Sequence, residues 1–223
     1  MFRTWRGEVP GVDVRAVELP GRGTRARETP LTNLPALVEQ VAEAIQACAG
    51  GPFAFFGHSM GALIAFEVAR ALRREGGIEP VHLFVSGREA PHVAGADPSF
   101  HALPDDELLQ VLRDLKGTPD EVLENADLMQ MLLPLLRADF ALVESYRYSV
   151  EAPLRCAITA YGGTVDATVR IERLEAWRDQ TTAPFTVRMI EGDHFFLHDA
   201  ASSLLRGIAH DLAPSTSAFP SAP

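Results

Sequence analysis

The sequence predicts an α/β protein built on a mostly parallel, doubly wound sheet with a helical insertion. Three observations support this prediction. Short apolar runs alternate with segments of helical periodicity, several runs are apolar throughout, and one long helical stretch interrupts the alternation. Continuous apolar strands are typical of parallel sheets, because helices cover both faces of such sheets.

Three strand patterns occupy the first half of the chain, at Val12–Pro20, Phe53–His58 and Val81–Gly87. The second and third are continuous apolar runs, as expected for strands buried on both faces. Between them, apolar residues at helical spacing predict helices at Leu31–Ala49 and Met60–Glu75. Thr32 or Asn33 is the expected N-cap of the first helix, and Gly76–Gly77 ends the second.

The second half begins with a stretch that is helical throughout, from Leu103 to Tyr148, with breaks at Gly117–Pro119 and at Pro134. We expect it to be an insertion between two strands of the sheet. The remaining elements are strands at Cys156–Gly163 and Phe185–Gly192, and helices at Ile171–Gln180 and at about His198–Leu212. The sequence therefore predicts one domain over residues 1–212 and a disordered tail over residues 213–223.

Composition excludes several functional classes. The formal net charge is −10 and the sequence pI is about 5.1, which argues against a nucleic-acid binder. No run of 18 apolar residues predicts a membrane span, and charges, Gly and Pro at the start do not fit a secretory signal. Cys48 and Cys156 lie far apart in apolar stretches, so we expect free thiols, no metal site and a cytoplasmic protein.

The strongest chemical signal is the segment Gly57-His58-Ser59-Met60-Gly61. It matches G-x-S-x-G, in which a serine stands on a sharp turn between a strand and a helix. Small residues two positions before and after the serine let the turn close. The apolar run before the motif and the helical pattern after it are the context that the motif requires, so Ser59 is predicted to be a nucleophile.

A serine hydroxyl needs a base, and His194 is the best candidate among seven histidines. It follows the last predicted strand directly, and the carboxyl ends of parallel strands share the edge where Ser59 lies. His198, four residues further on, is the alternative. His58 is next to the serine, but its side chain is expected to point away from the hydroxyl.

The base in turn needs a carboxylate that orients it. In the chain order Ser, Asp, His, this acid should follow a strand between the other two. Asp166 does so, three residues after a pair of glycines. The alternatives are Asp179, on a predicted helix, and Asp193, which is too close in sequence to orient His194 well.

These motifs together resemble the type II thioesterases, which are stand-alone α/β-hydrolases that accompany polyketide and nonribosomal peptide synthetases. The matching pieces occur in family order over nearly the whole chain: FRTW, AVELPGRGTR, FFGHSMGALIAFEVAR, LFVSGREAP, GGTVDATV and GDHFFLH. The resemblance implies hydrolysis of acyl thioesters on the phosphopantetheine arm of a carrier protein, without metal or cofactor. It assigns Ser59 as nucleophile, Asp166 as acid and His194 as base.

The resemblance also makes Leu103–Tyr148 a lid over an acyl chamber. Its leucines and methionines suit a pliable apolar wall; they are Met129, Met131, Leu132, Leu133, Leu135 and Leu136. The alternative is that these side chains form the core of a helical hairpin made by the insertion itself. Members of the family begin with a strand and a glycine-rich loop before the segment that matches FRTW. That loop supplies one oxyanion donor and the N–H of Met60 the other. The strand and the loop do not occur in this sequence, and we expect that its start is assigned too far downstream; the alternative is a truncated protein that lacks the first donor.

The expected partner is an acyl or peptidyl carrier protein, and we expect the enzyme to be a monomer. Arg22, Arg25, Arg27 and Arg88 lie near the predicted active-site edge and are candidates for docking the carrier. The alternative is that they pair with Glu28 and Glu89. Two other functions stay open at this point: a small-molecule esterase or acyltransferase of the same fold, and a non-catalytic protein that binds a carrier.

Overall fold

A parallel four-stranded sheet lies at the centre of the computed structural model, which describes residues 2–48, 50–93, 95 and 99–217. The strands are β1 (Ala54–His58), β2 (His82–Ser86), β3 (Ala157–Gly163) and β4 (Phe185–Ile190). They lie side by side in chain order, and each of the three neighbouring pairs is parallel. The predicted α/β architecture is therefore confirmed.

Seven α-helices connect or flank these strands within the described ranges. They are α1 (Leu34–Cys48), α2 (Met60–Gly76), α3 (Asp105–Leu115), α4 (Asp120–Leu123), α5 (Ala126–Glu144), α6 (Ile171–Glu175) and α7 (Ala201–Ser217). Short 3-10 helices lie at Phe2–Trp5, Gly23–Arg25, Phe100–Ala102 and Ala176–Gln180. Of the described helices, none combines the length and the apolar composition that a membrane span requires.

Alternate side chains of the central strands pack into two apolar layers, one on each face of the sheet. Leu83 and Val85 of β2 pack with α2 and with Trp177 on one face. Phe84 of the same strand packs with Trp5 and with α7 on the other face. Both faces are therefore covered, and β2 is buried at every position.

The strand β1 differs from the prediction that it is buried on both faces. Only Gly57 of its five residues is buried, because β2 is the one described strand beside β1 and leaves its other edge unpaired. The predicted strand Val12–Pro20 is wrong, since no described strand lies there. Its burial alternates with a period of two, but its backbone joins no ladder. Alternating burial indicates that one side of a segment faces the core, but it does not indicate that the segment pairs with another strand.

The predicted helical insertion between β2 and β3 is present as α3, α4 and α5, which we call the lid. The break at Gly117–Pro119 separates α3 from α4, but Pro134 lies inside α5 without ending it. Met129 and Leu133 are buried in a cluster within the lid itself, so for these two the self-packing alternative is correct. Met131 is 77% exposed.

The last helix extends further than predicted. α7 continues to Ser217, so the predicted disordered tail overlaps its last turn, and residues 218–223 lie outside the described residues. An ion pair between Arg188 of β4 and Asp211 of α7, with N–O distances of 2.6 Å, ties the helix to the sheet. The carboxyl ends of the parallel strands thus meet at one edge, and the loops that follow them carry the candidate residues.

Candidate active site

Ser59 occupies the tight turn between β1 and α2. Its φ of 52° and ψ of −116° lie where residues other than glycine are rare. Such a conformation costs about 1–3 kcal/mol and persists only where the surroundings hold it. Here the backbone N–H of Ser59 donates to the carbonyl of Ser86 on the neighbouring strand, at 2.8 Å. The turn places Ser59 at the carboxyl edge of the sheet, as the motif predicts.

The two glycines of the motif have different surroundings. A Cβ atom on Gly57 would lie 2.1 Å from the carbonyl oxygen of Gly61, so only glycine fits there. A Cβ atom on Gly61 would meet no described atom within 4 Å. The expectation that both small residues close the turn therefore holds for Gly57 and is wrong for Gly61.

His194 and Asp166 are brought together by the loops after β4 and β3. His194 Nδ1 lies 2.8 Å from Asp166 Oδ2, and the Asp166 side chain has no exposed surface. Burial opposes ionisation of this carboxyl, but hydrogen bonds from His194 and Thr168 outweigh it and hold the pKa of Asp166 below its ordinary value. An ionised Asp166 therefore fixes Nδ1 of His194 as the protonated nitrogen and leaves Nε2 for another partner.

Thr168 is a member of this cluster that the sequence analysis missed. Its backbone N–H and its hydroxyl both lie within hydrogen-bond distance of Asp166 Oδ1, at 2.8 and 2.6 Å. The hydroxyl oxygen is also 3.0 Å from His194 Nδ1. One arrangement satisfies all contacts: the hydroxyl donates to Asp166, and the His194 N–H is shared between Asp166 and Thr168. An Asp followed two residues later by Thr is a recognisable Asx-turn signal.

The rival candidates have other partners. His198 is exposed and makes no hydrogen bond to an acid within the described chain. Asp179 is on the surface, 3.2 Å from His92, and Asp193 accepts from the N–H of Phe195. The geometry therefore selects His194 and Asp166 from the alternatives that the sequence left open.

His58 lies closer to the predicted base than expected. Its ring centroid is 5.0 Å from that of His194, and its Nδ1 is 2.9 Å from the Ser86 hydroxyl. Burial, reinforced by His194, lowers the pKa of His58 to about 3, so this ring stays neutral near pH 7. A Cβ atom on Gly87 would approach Cε1 of both rings, at 2.6 and 3.3 Å. His194 therefore lies beside the carboxyl ends of β1 and β2, in contact with His58.

The contact between Ser59 and His194 is open in this structure. No hydrogen bond joins the Ser59 hydroxyl to His194 among the described residues, and catalytic hydrogen bonds are often long without substrate. The N–H of Met60 begins α2, where intrahelical acceptors are lacking, so it can donate to a developing oxyanion. Within the described ranges no cluster of His, Cys, Asp and Glu could hold a metal ion.

Two of the candidate docking arginines are engaged within the protein. Arg22 pairs with Asp139 of the lid at 2.6 Å, and Arg25 pairs with Glu28 at 2.5 Å. Glu89 pairs with Arg173 at 2.6 Å. The alternative of internal pairing is therefore correct for Arg22 and Arg25, although Arg22 binds a lid residue.

A family model described as a thioesterase domain matches residues 1–212. The gramicidin S biosynthesis protein GrsT of Aneurinibacillus migulanus is 50% identical over 212 residues, which cover 95% of this chain and 83% of that protein. The thioesterase PikA5 of Streptomyces venezuelae is 37% identical over 204 residues, covering 91% of this chain and 72% of that protein.

Solved structures give the same picture. The RedJ thioesterase of the prodiginine pathway in Streptomyces coelicolor superposes with a TM-score of 0.85 at 41% identity. The match covers 95% of this chain and 81% of that one. The type II thioesterase BorB of the borrelidin cluster has a TM-score of 0.82 at 40% identity, covering 90% of this chain and 81% of that one.

Proposed function

The chain belongs to the thioesterase family, among the type II thioesterases of nonribosomal peptide and polyketide pathways, and on that premise we propose that it hydrolyses acyl thioesters on the phosphopantetheine arm of a carrier protein. The observation that carries the proposal is the strained turn at Ser59 together with the imidazole of His194, which the buried Asp166 contacts. The His194 ring lies 5.0 Å, centroid to centroid, from the ring of His58, the residue before Ser59. The proposed role of the enzyme is to remove stalled or wrongly loaded acyl groups from the synthetase.

Acylation starts at Ser59. His194 Nε2 takes the hydroxyl proton as Oγ attacks the thioester carbonyl, and ionised Asp166 stabilises the imidazolium that forms. The N–H of Met60 donates to the oxyanion of the tetrahedral intermediate. The carbon–sulfur bond then breaks, His194 returns its proton to the leaving pantetheine sulfur, and the acyl group remains on Ser59.

Deacylation repeats these steps with water. His194 takes a proton from the water as its oxygen attacks the acyl-enzyme ester. When the bond to Ser59 Oγ breaks, His194 gives that proton to the serine oxygen, so the enzyme is restored and a free acid leaves. Every proton transfer in both steps uses His194, so the chemistry needs no metal ion or organic cofactor.

The proposed substrate rests on the relatives. GrsT is named for the biosynthesis of a peptide antibiotic, and RedJ and BorB belong to the prodiginine and borrelidin pathways. In the type II thioesterase family the acyl group is delivered on a carrier protein. Asp139 of the lid pairs with Arg22 in the loop that precedes α1, and we propose that the carrier protein approaches the sheet edge on the side of this lid.

The test compares two classes of substrate. An acyl group loaded on a phosphopantetheinylated carrier protein is offered beside the same acyl group as a simple oxyester, and release of thiol and of acid is measured. We expect preference for the carrier-linked thioester, with no turnover by Ser59→Ala. Hydrolysis of the oxyester alone would identify a small-molecule esterase. Failure of Ser59 to react with a fluorophosphonate would identify a non-catalytic carrier-binding protein.

A further inference from the structure

The turn of the lid between α3 and α4 touches the loop of the proposed base. Lys116 ends α3 with a left-handed φ of 55°, and Gly117 follows it. A Cβ atom on Gly117 would lie 2.4 Å from Cζ of Phe195, so the backbone of the turn rests closely on this ring. Nζ of Lys116 lies 4.0 Å from Asp193 Oδ2 in the same loop.

Phe195 continues the contact to the base. It follows His194 in sequence, and the two rings meet edge to face with centroids 5.0 Å apart and an interplanar angle of 88°. The ring of His58 lies 5.6 Å from that of Phe195, centroid to centroid. The ring of Phe195 therefore contacts the lid turn and two imidazoles, one of which is the proposed base.

We propose that Phe195 is a positioning residue through which the lid turn Lys116–Gly117 sets the orientation of His194. The inference rests on the proposed function, because it assigns His194 as the base. A rigid aromatic ring passes a displacement from one side to the other, whereas a flexible side chain absorbs it. The lid thus acts on the chemical step as well as on access to the site.

Gly117→Ala tests this from the lid side. Gly117 is exposed, lies outside the left-handed region of φ and belongs to neither the catalytic nor the binding machinery, so alanine suits its backbone. The added methyl must push the ring of Phe195 by roughly 1 Å to reach ordinary contact. A misplacement of this size lowers the rate about 10- to 100-fold, so we expect kcat to fall by that factor while KM changes less than about twofold.

Gly51→Ala is the matched control. Gly51 is also exposed, and a Cβ atom there would meet no described atom within 4 Å. Its kcat and melting temperature should equal those of the wild type, and Gly117→Ala should remain folded at the assay temperature, which thermal denaturation verifies. If Gly117→Ala behaves like Gly51→Ala in kcat, the proposal is wrong.

A double-mutant cycle separates coupling from a general disturbance of the lid. Leucine at position 195 is shorter than phenylalanine and leaves room for the methyl group. In the Phe195→Leu background, Gly117→Ala should therefore change kcat less than about twofold, because the two positions are coupled. Equal losses in both backgrounds would overturn the proposal.

A second measurement distinguishes failure of this inference from failure of the proposed function. The rate at which a fluorophosphonate labels Ser59 depends on His194 but not on the identity of the acyl donor. We expect that rate to follow the same cycle as kcat. If no thioester is hydrolysed and the labelling rate still shows the coupling, the proposed function fails and this inference stands. If the thioester is hydrolysed but neither kcat nor the labelling rate shows coupling, the proposed function stands and this inference is wrong.

Discussion

The carbonyl oxygen of Gly61 occupies the space that a side chain on Gly57 would need, with a separation of 2.1 Å from an ideal Cβ atom. Gly57→Ala therefore forces the backbone of the serine turn apart. We expect a loss of about 3 kcal/mol in the free energy of unfolding, the upper range for overpacking, together with loss of activity. Chemical denaturation and a turnover assay measure both effects.

Gly61→Ala is the matched comparison, because the position is open among the described residues. Its free energy of unfolding should stay within about 0.5 kcal/mol of the wild type, as for substitutions that meet no neighbour. Equal destabilisation by the two substitutions would contradict the different surroundings that the structure gives the two glycines.

Removing the members of the proposed triad should lower kcat in a definite order. Ser59→Ala and His194→Ala should each cost about 10⁶-fold, and Asp166→Ala about 10⁴-fold, as in other enzymes whose three residues act as a unit. The double variant lacking Ser59 and His194 should be no slower than either single variant. Additive losses would show that the residues do not act together.

The hydroxyl of Thr168 should support activity through its hydrogen bond to Asp166. Thr168→Val removes a hydrogen bond to an ionised acceptor while keeping the size of the side chain, which typically costs about 1.5–3 kcal/mol or roughly 10- to 100-fold in kcat/KM. The loss also raises the pKa of Asp166 toward its ordinary value, because the Thr168 hydrogen bond lowers it.

Thr168→Ser is the control for that substitution, since it retains the hydroxyl. It should keep kcat/KM within about threefold of the wild type. If the valine and serine variants are equally active, the hydroxyl does not orient the carboxylate.

The buried His82 should make stability depend on pH. Burial lowers its pKa to about 4, against an ordinary value of 6.5, and its Nε2 lies 2.9 Å from the Thr159 hydroxyl. Between pH 6.5 and pH 4 the unfolded chain thus binds a proton that the folded protein does not. Stability must fall as the pH is lowered through this window, by at most about 1.4 kcal/mol per pH unit from this residue.

His82→Gln removes the titrating group while an amide can still reach Thr159. Denaturation at pH 7 and at pH 5 should show a smaller loss of stability for the variant than for the wild type. The same loss in both proteins would mean that His82 is protonated in the folded state.

Strand ends and chain order were enough to predict that Ser59, Asp166 and His194 lie at one edge, because parallel strands end on the same side of a sheet. The same reasoning favoured His194 over His198 and Asp166 over Asp179, but it left both alternatives open. The structure chooses by a 2.8 Å contact between side chains 28 residues apart. Thr168 had a local signal, whereas the contact of Gly117 with Phe195 had none.

The strand predictions also separate what the sequence indicates from what only the tertiary structure decides. The apolar runs of β1 and β2 look alike in sequence, yet β2 is buried throughout and β1 is half-exposed at an edge of the sheet. Periodicity tells which side chains face an apolar surrounding, and it contains no information about the neighbour across a ladder. For this reason Val12–Pro20 shows a strand-like alternation of burial without being a strand.

By itself, the sequence determined the α/β class, the strained serine turn and the order of the three chemical residues, because backbone sterics and hydrophobic periodicity are local properties. Tertiary structure alone decided which histidine meets which acid, that Gly57 but not Gly61 must be glycine, and that the lid rests on Phe195. Those outcomes depend on distances between segments far apart in the chain, and only the packing of the whole domain sets such distances.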